Sequence, residues 1–130
     1  MTWQYVYPDK PMPTIVKMLG RYDVWDFSKY AQNLNFLQAG IRLGDNNPEN
    51  ENWDLWFKEG ALDDNGILLT HFETPLLYQI LTDGEIALKY RDNQYASLIK
   101  AWSFFAEFDG YKAICCNAGS VSSQLFDSVK

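Results

Sequence analysis

Apolar residues recur at helical spacing within the first 44 residues, which predicts two amphipathic helices. In "TIVKMLG", Ile15, Val16 and Leu19 fall on one face, and Gly20 lies near the expected helix end. In "FSKYAQNLNFLQAGIRLG", Ser28 is the expected cap of the second helix. Its apolar positions, spaced by four, three and four residues, are Tyr30, Leu34, Leu37 and Ile41.

A capping residue followed by proline predicts the start of a third helix. Asn47 and Pro48 occupy these two positions, and we expect the helix to continue to Lys58. Acidic residues in its first turn suit the positive end of the helix dipole. The segment "LDDNG", which follows, is typical of a loop.

The same cap-and-proline pattern at Thr74 and Pro75 opens a long apolar stripe. The stripe continues to residue 90 despite Gly84, and it resumes from residue 98 to residue 106. We therefore expect one long helix with a weak point at residues 91–94, "RDNQ".

The pattern changes in "FDGYKAICCNAG", where Asp109 and Gly110 predict a turn and residues 111–116 predict a short apolar strand. Ser122 is the expected cap of a following helix. Because a single strand cannot satisfy its backbone polar groups alone, we expect this strand to begin a C-terminal α/β domain. The predicted fold class is mainly α, with a helical connecting region and one short strand.

The two cysteines, Cys115 and Cys116, are neighbours in this predicted strand. Successive strand side chains point to opposite faces, so the two thiols cannot easily bond to each other. We expect both to be reduced and structural. A zinc site would need further ligands, and His71 is the single histidine of the chain.

Composition and charge restrict the class of function. The chain has 130 residues, which fits one domain or part of one, and its aromatic content is high at 16%. The net charge of −6 argues against broad nucleic-acid binding, whereas a metal could still neutralise a small phosphorylated ligand. The sequence has neither an apolar run of membrane-spanning length nor a signal-peptide pattern, so we expect a cytoplasmic protein without membrane association.

Two carboxylates three residues apart, Asp23 and Asp26 in "GRYDVWDF", are the main candidates for chemistry. They could hold a divalent metal or form the solvated end of a helix, and their spacing alone favours the second interpretation. In "NAGSVSS", backbone N–H groups at a helix start could cradle an anion, and the alternative is a plain turn and cap. No common catalytic motif is present, so no residue is assigned a catalytic role.

The segment from Trp3 to Phe27 resembles part of the DHH-family phosphoesterases, in particular their exopolyphosphatase-like branch. The branch carries the pattern P-x-x-[IV]-x-x-[IL]-x-x-[YR]-D-x-W, which is matched here by Pro13, Val16, Leu19, Tyr22, Asp23 and Trp25. "ILTDGEIALKY" is similar to a helix of that branch, and "FDGYKAICCNAGSVSSQLFDS" to the first part of its substrate domain.

This resemblance implies hydrolysis of phosphodiester or phosphoanhydride bonds, in nucleotides or polyphosphate, by a pair of Mn²⁺ or Mg²⁺ ions. It implies that Asp23 is a metal ligand and that Asp26 is structural, with Tyr22 and Trp25 packed so as to direct Asp23. Asn117 and Ser122 are the residues expected to bind the small phosphorylated substrate.

The sequence lacks the D-x-D, D-H-H and GGGH motifs of the family. We therefore expect the chain alone to be inactive, because one carboxylate cannot hold two metal ions. The resemblance divides it into the end of a catalytic domain (1–44), a helical connector (45–109) and the start of a substrate-binding domain (110–130). The alternative is a non-catalytic helical interaction module that self-associates through exposed aromatic residues.

Overall fold

A computed structural model of the chain describes residues 2–29, 31–58 and 75–129. They form a mainly α structure, as the sequence predicts, and a small antiparallel sheet follows the helices. Two compact units are present, Met1–Ala87 and Leu88–Lys130. The elements in chain order are helices α1 (Thr2–Val6), α2 (Thr14–Asp23), α3 (Ala31–Ile41), α4 (Asn52–Lys58) and α5 (Pro75–Trp102), strands β1 (Ser103–Phe108) and β2 (Tyr111–Cys116), and a 3₁₀ helix (Ser123–Ser128).

The core of the first unit is formed by one apolar face from each of four helices, because α2, α3, α4 and the first part of α5 are each amphipathic. The helical spacing of Leu34, Leu37 and Ile41 is confirmed, since all three are buried. The other buried apolar members are Ile15, Met18, Trp56, Leu77 and Leu81. Full burial of one such side chain contributes about 1.5–3 kcal/mol, so these residues dominate the stability of this unit.

Helices α3 and α5 approach so closely that their backbones touch at two glycines. A Cβ atom at Gly84 would collide with the carbonyl oxygen of Phe36, and one at Gly40 would collide with that of Ile80. Gly84, which interrupts the apolar stripe in the sequence, therefore lies where a side chain has no room.

Three predicted helix ends differ from the structure. Helix α2 continues past Gly20 to Asp23. Ser28 does not begin α3; its hydroxyl and N–H bind Asp26 instead. Helix α4 starts at residue 52 rather than at Asn47.

Side chains and backbone form successive turns in the segment that precedes α4. The Asp45 carboxylate accepts the N–H of Asn47 at 3.0 Å, and the Asn47 side chain accepts the N–H of Glu49 at 3.2 Å. These bonds form turns at residues 45–49, and the helix starts only at residue 52. The Trp53 indole N–H then donates to the Asn47 carbonyl at 3.1 Å.

Helix α5 is described from Pro75 onwards and continues through residues 91–94 without a break. It ends at Trp102, so the expectation that it reaches residue 106 is wrong. The aromatic and small residues of "SFFAEF" fit a strand as well as a helix, and pairing with β2 decides the outcome. None of the described helices is long and apolar enough to cross a membrane.

The predicted turn at Asp109 and Gly110 and the predicted strand 111–116 are both confirmed. Both turn residues have positive φ, 50° and 78°, which is the geometry of a type I′ hairpin turn. The expectation of a single unpaired strand is wrong, because β1 pairs with β2 along its whole length, from Ser103 opposite Cys116 to Phe108 opposite Tyr111. The domain boundaries at residues 44 and 109 stay a prediction.

Gly110→Ala should weaken the hairpin, because alanine is strained at φ 78°. A Cβ atom would meet open space here, so the cost is conformational, about 1 kcal/mol. Hydrogen exchange of the amides paired between β1 and β2 should become roughly fivefold faster. Gly119→Ala is the matched control, since it also has open space but no positive φ. Equal exchange rates in both variants would contradict this explanation.

Candidate functional site

The chain reverses direction at the end of α2 through a pair of backbone hydrogen bonds. The Tyr22 carbonyl accepts the N–H of Trp25 at 3.1 Å, and the Arg21 carbonyl accepts the N–H of Asp26 at 2.9 Å. This pair is the Schellman arrangement, in which the residue after the cap adopts the left-handed conformation and is usually glycine. Here that residue is Trp25, with φ 56°. A non-glycine residue in this region costs on the order of 1 kcal/mol.

Asp26 is held in place by its neighbours on both sides of the turn. The Arg21 Nη1 donates to its Oδ2 at 2.6 Å. Its Oδ1 accepts the Ser28 hydroxyl at 2.5 Å and the Ser28 N–H at 3.1 Å. The prediction that Asp26 is structural agrees with this network, which fixes the chain just after the turn.

The network lowers the pKa of Asp26 below the ordinary aspartate value of 3.8, chiefly through the Ser28 hydroxyl, then the Ser28 N–H and the Arg21 charge. Since the folded pKa is below the unfolded one, this stabilisation is present above 3.8 and is lost as the pH falls through the folded value. Asp26→Asn should therefore lower the thermal midpoint at about pH 6, and the gap from wild type should close towards about pH 2.

Ser28→Ala, which removes the largest cause of the pKa shift, should show the same convergence at low pH. Thermal unfolding followed by circular dichroism across this pH range measures both variants. A constant gap between Asp26→Asn and wild type at every pH would contradict the role given to the carboxylate.

Asp23, the other carboxylate, differs from Asp26 in its exposure and in its hydrogen bonding. It is the last residue of α2 and is exposed, and its carboxylate makes no hydrogen bond or ion pair with another described residue. The carboxyl end of a helix carries a partial negative charge, which adds to that of Asp23 and favours a cation there. A Mn²⁺ or Mg²⁺ ion, however, needs several oxygen ligands. The described residues contain no group of three metal-ligating side chains, so Asp23 could supply only one corner of a site.

Three aromatic rings surround the turn at Asp23. Trp25 stacks on Tyr22 with ring centroids 6.3 Å apart and planes 24° apart. Phe27 meets Trp25 edge-on at 5.8 Å and Tyr22 at 6.2 Å. Trp25 nevertheless remains 75% exposed. The ring thus contacts two other rings while most of its surface faces solvent.

The two predicted substrate-binding residues, both in the second unit, have different surroundings. Asn117 directly follows β2, is exposed, and donates its N–H to the Trp102 carbonyl at 3.3 Å, which closes the hairpin. Ser122 precedes the 3₁₀ helix, but its hydroxyl makes no cap bond. Its N–H donates instead to the Tyr95 hydroxyl at 3.2 Å, so that N–H is already engaged.

A polar cleft of about 210 Å³ lies beside Ser122 and was not anticipated from the sequence. Its lining residues are Arg91, Asp92, Tyr95, Gln124 and Asp127. Arg91 donates to Gln124 at 2.6 Å and to the Asp92 carboxylate at 2.7 Å. Hydrogen bonds with Ser122, through its hydroxyl first and then its N–H, lower the pKa of Tyr95. Arg91 and Tyr95 are four residues apart and therefore share one helix face, which the sequence could have indicated. Their partners, Gln124 and Ser122, lie 33 and 27 residues further along the chain and form no motif with them.

The hairpin carries one apolar face, which we call the aromatic face. Opposed residues of an antiparallel pair share a face, and so do alternate residues of each strand. The observed register therefore places Phe104, Phe108 and Tyr111 together, and they are 56%, 80% and 75% exposed. Cys115 belongs to this face and Cys116 to the opposite one, and both are free thiols, as predicted.

Four sequence predictions lie outside the described residues, namely the helical position of Tyr30, the "LDDNG" loop, the histidine at position 71 and the cap at Thr74. No protein-family model, curated protein or solved structure matches this sequence. The resemblance to the DHH phosphoesterases therefore stays a prediction that rests on the quoted residues.

Proposed function

We propose that this chain contributes Asp23 to the metal site of a DHH-type phosphohydrolase and is inactive without the D-x-D and D-H-H segments of that family. The reaction is hydrolysis of phosphodiester or phosphoanhydride bonds. The observation that carries the proposal is the different state of the two carboxylates. Asp26 is bound by Arg21 and Ser28, whereas Asp23 is exposed at the negative end of α2.

The turn fixes the backbone that carries Asp23 and leaves its exposed carboxylate open to a metal ion. The two backbone bonds of the Schellman arrangement hold the chain after Asp23, and the Arg21–Asp26 ion pair closes the same turn. The family's metal ions, when bound, activate water and neutralise charge on the phosphoryl group. Asp23 would hold one side of such an ion, and the remaining ligands would come from the missing motifs.

The test supplies those motifs in trans. The chain is mixed with a polypeptide that carries the D-x-D and D-H-H segments of the family, Mn²⁺ is added, and hydrolysis of bis-p-nitrophenyl phosphate is followed. We expect no hydrolysis by either part alone and measurable hydrolysis by the mixture. Asp23→Asn should reduce the rate by more than about 10-fold, the lower end of what the loss of even an outer-shell metal partner costs.

Asp9→Asn is the matched control, because Asp9 is also an exposed carboxylate of the first unit, and it should retain the full rate. The proposal is lost if the mixture hydrolyses nothing and Asp23→Asn leaves the Mn²⁺ affinity of the mixture unchanged.

A second candidate, the non-catalytic interaction module, is favoured by the aromatic face of the hairpin. A two-stranded sheet is marginally stable by itself and gains stability when its apolar face is covered. Large exposed apolar patches are typical of protein contact surfaces. A chain that works this way would self-associate through Phe104, Phe108 and Tyr111.

Sedimentation velocity over a range of concentrations distinguishes this candidate. Self-association through the aromatic face should weaken in Phe108→Ser and persist in Phe105→Ser. Phe105 is the matched control, because it is 85% exposed and lies on the opposite face of the same strand. A monomer at all concentrations would exclude self-association, and equal effects of the two variants would exclude this face.

A further inference from the structure

The outer edge of β1 carries backbone groups that face away from the rest of the described sheet. The N–H of Asn117 donates to the Trp102 carbonyl, so residues 102 and 117 belong to the hydrogen-bonded pairs of the hairpin. Bonded and non-bonded pairs alternate along an antiparallel ladder. The other bonded pairs of the observed register are therefore 104 with 115, 106 with 113 and 108 with 111. The backbone N–H and C=O groups of Ser103, Phe105 and Glu107 consequently point away from β2.

Exposure distinguishes β1 from β2 as the open strand. Five of the six β1 residues are exposed, whereas four of the six β2 residues are half-buried. Sheets usually protect an open edge with proline, lysine or a bulge, and β1 has none of these. Its single charge, on Glu107, lies opposite Lys112 within the hairpin. An edge of this kind binds another extended strand through backbone hydrogen bonds.

The second unit has little core of its own. Among its described residues, Leu125 is the one buried apolar side chain. A two-stranded sheet is marginally stable in water, and further strands beside an apolar face stabilise it. Additional strands on the open edge of β1 would therefore supply what this unit lacks.

The distribution of charge indicates a second copy of the same unit as the source of those strands. Residues 1–87 contain 6 basic and 13 acidic residues, whereas residues 88–130 contain 5 basic and 4 acidic residues. Two copies of the second unit can thus meet without strong repulsion, whereas two first units would bring like charges together. Two identical strands that pair antiparallel are related by a two-fold axis, so the same edge serves both copies.

We propose that β1 pairs antiparallel with β1 of a second copy, which gives a four-stranded sheet in the order β2-β1-β1-β2. With the two Ala106 residues opposite each other, Phe104 of each copy lies opposite Phe108 of the other, on the aromatic face. Such cross-strand aromatic pairs stabilise a sheet. The outward backbone groups of Phe105 then bond to those of Glu107 in the other copy. A register shifted by two residues towards the turn would place the two Glu107 side chains opposite each other, which is destabilising.

This inference rests on the second candidate function, self-association, and specifies the contact as paired strand edges. It is independent of the phosphohydrolase proposal, which concerns the first unit.

The first test uses the unmodified chain and compares amide hydrogen exchange at low and high protein concentration. The N–H groups of Phe105 and Glu107 should exchange about tenfold more slowly when about nine-tenths of the chain is paired, because exchange then occurs from the unpaired tenth. The N–H groups of Lys112 and Ile114 are the matched reference. They lie on the outer edge of β2 and should exchange equally fast at both concentrations.

Proline variants supply the second test, because proline removes an N–H and is tolerated in a strand where that N–H points outwards. Glu107→Pro should raise the dimer dissociation constant, measured by sedimentation velocity, about 5- to 150-fold, because each dimer loses two backbone hydrogen bonds. Lys112→Pro is the matched control, since Lys112 lies opposite Glu107 but on the other edge of the hairpin, and it should leave the constant unchanged. Slow exchange of the Ala106 N–H, which bonds within the hairpin, verifies that both variants keep the hairpin.

Exchange at Phe105 and Glu107 that does not depend on concentration would overturn the inference. If it is slow at every dilution, a segment of the same chain covers the edge. If it is fast while the chain still self-associates, the copies meet through the aromatic face alone, and the second candidate function stands without edge pairing. A chain that is monomeric at every concentration would reject both. Equal weakening by Glu107→Pro and Lys112→Pro would also reject pairing through β1.

Discussion

Gly84→Ala should lose about 3 kcal/mol or more of unfolding free energy, although the same change in an exposed helix would gain about 1 kcal/mol. The reason is the contact between the α3 and α5 backbones. A methyl group at Gly84 would overlap the Phe36 carbonyl oxygen, and a backbone carbonyl cannot move aside as a flexible side chain can. The two helices would have to separate, which loosens the apolar contacts on either side. Urea denaturation followed by circular dichroism measures the change.

Gly40→Ala should behave in the same way, since its methyl group would overlap the Ile80 carbonyl. The double variant should cost less than the sum of the two, because one separation of the helices relieves both overlaps. Gly44→Ala is the matched control, with only an ordinary contact near its added methyl group, and it should be close to wild type. A stabilised Gly84→Ala protein would mean that the helices do not touch at this point.

Leu34→Ala should be the second severe substitution, with a loss of about 2–5 kcal/mol. Leu34 is fully buried in the core of the first unit, so truncation removes burial and leaves a cavity among the surrounding side chains. Since whole domains are stable by about 5–15 kcal/mol, either variant consumes a large fraction of the total.

Leu43→Ala is the matched control for this second prediction. It makes the same chemical change at a leucine that is 63% exposed, two residues beyond the end of α3. Its unfolding free energy should stay within about 0.5 kcal/mol of wild type. If Leu34→Ala and Leu43→Ala were equally stable in urea, the core assignment would be wrong.

Predictions from sequence succeeded where a single local cause decides the structure. The spacing of Leu34, Leu37 and Ile41 identifies a buried face. The Asp109-Gly110 pair identifies a hairpin turn, since both residues tolerate positive φ. In each case the local preference and the tertiary packing agree.

Predictions failed where two structures compete for the same residues. Asn47 satisfies the rules for a helix cap, and its side chain accepts the N–H of Glu49 as a cap would, yet the helix starts only at residue 52. The residues from 103 to 106 carry an apolar pattern that suits a helix, and only β2, which follows them, makes the strand preferable. A pattern in one segment cannot report which other segment will pair with it.

For the candidate site, the sequence identified the residues but not their conformation. The spacing of Asp23 and Asp26 treats them as equivalent, and only the structure shows that Asp26 is bound by Arg21 and Ser28 whereas Asp23 is exposed. The positive φ of Trp25 has no sequence signal, because the residue expected at that position is glycine. The cleft beside Tyr95 depends on contacts between residues far apart in the chain, which no local motif records.

The pleat of the hairpin gives the protein two chemical reporters in adjacent positions. A thiol-reactive label on Cys115 would sample the face that carries Phe108 and Tyr111, whereas a label on Cys116 would sample the reverse side of the same sheet. Anything that covers the aromatic face should slow labelling of the first thiol and leave the second unaffected. The ratio of the two labelling rates would thus report which side of the sheet is occupied, with each thiol serving as the reference for the other.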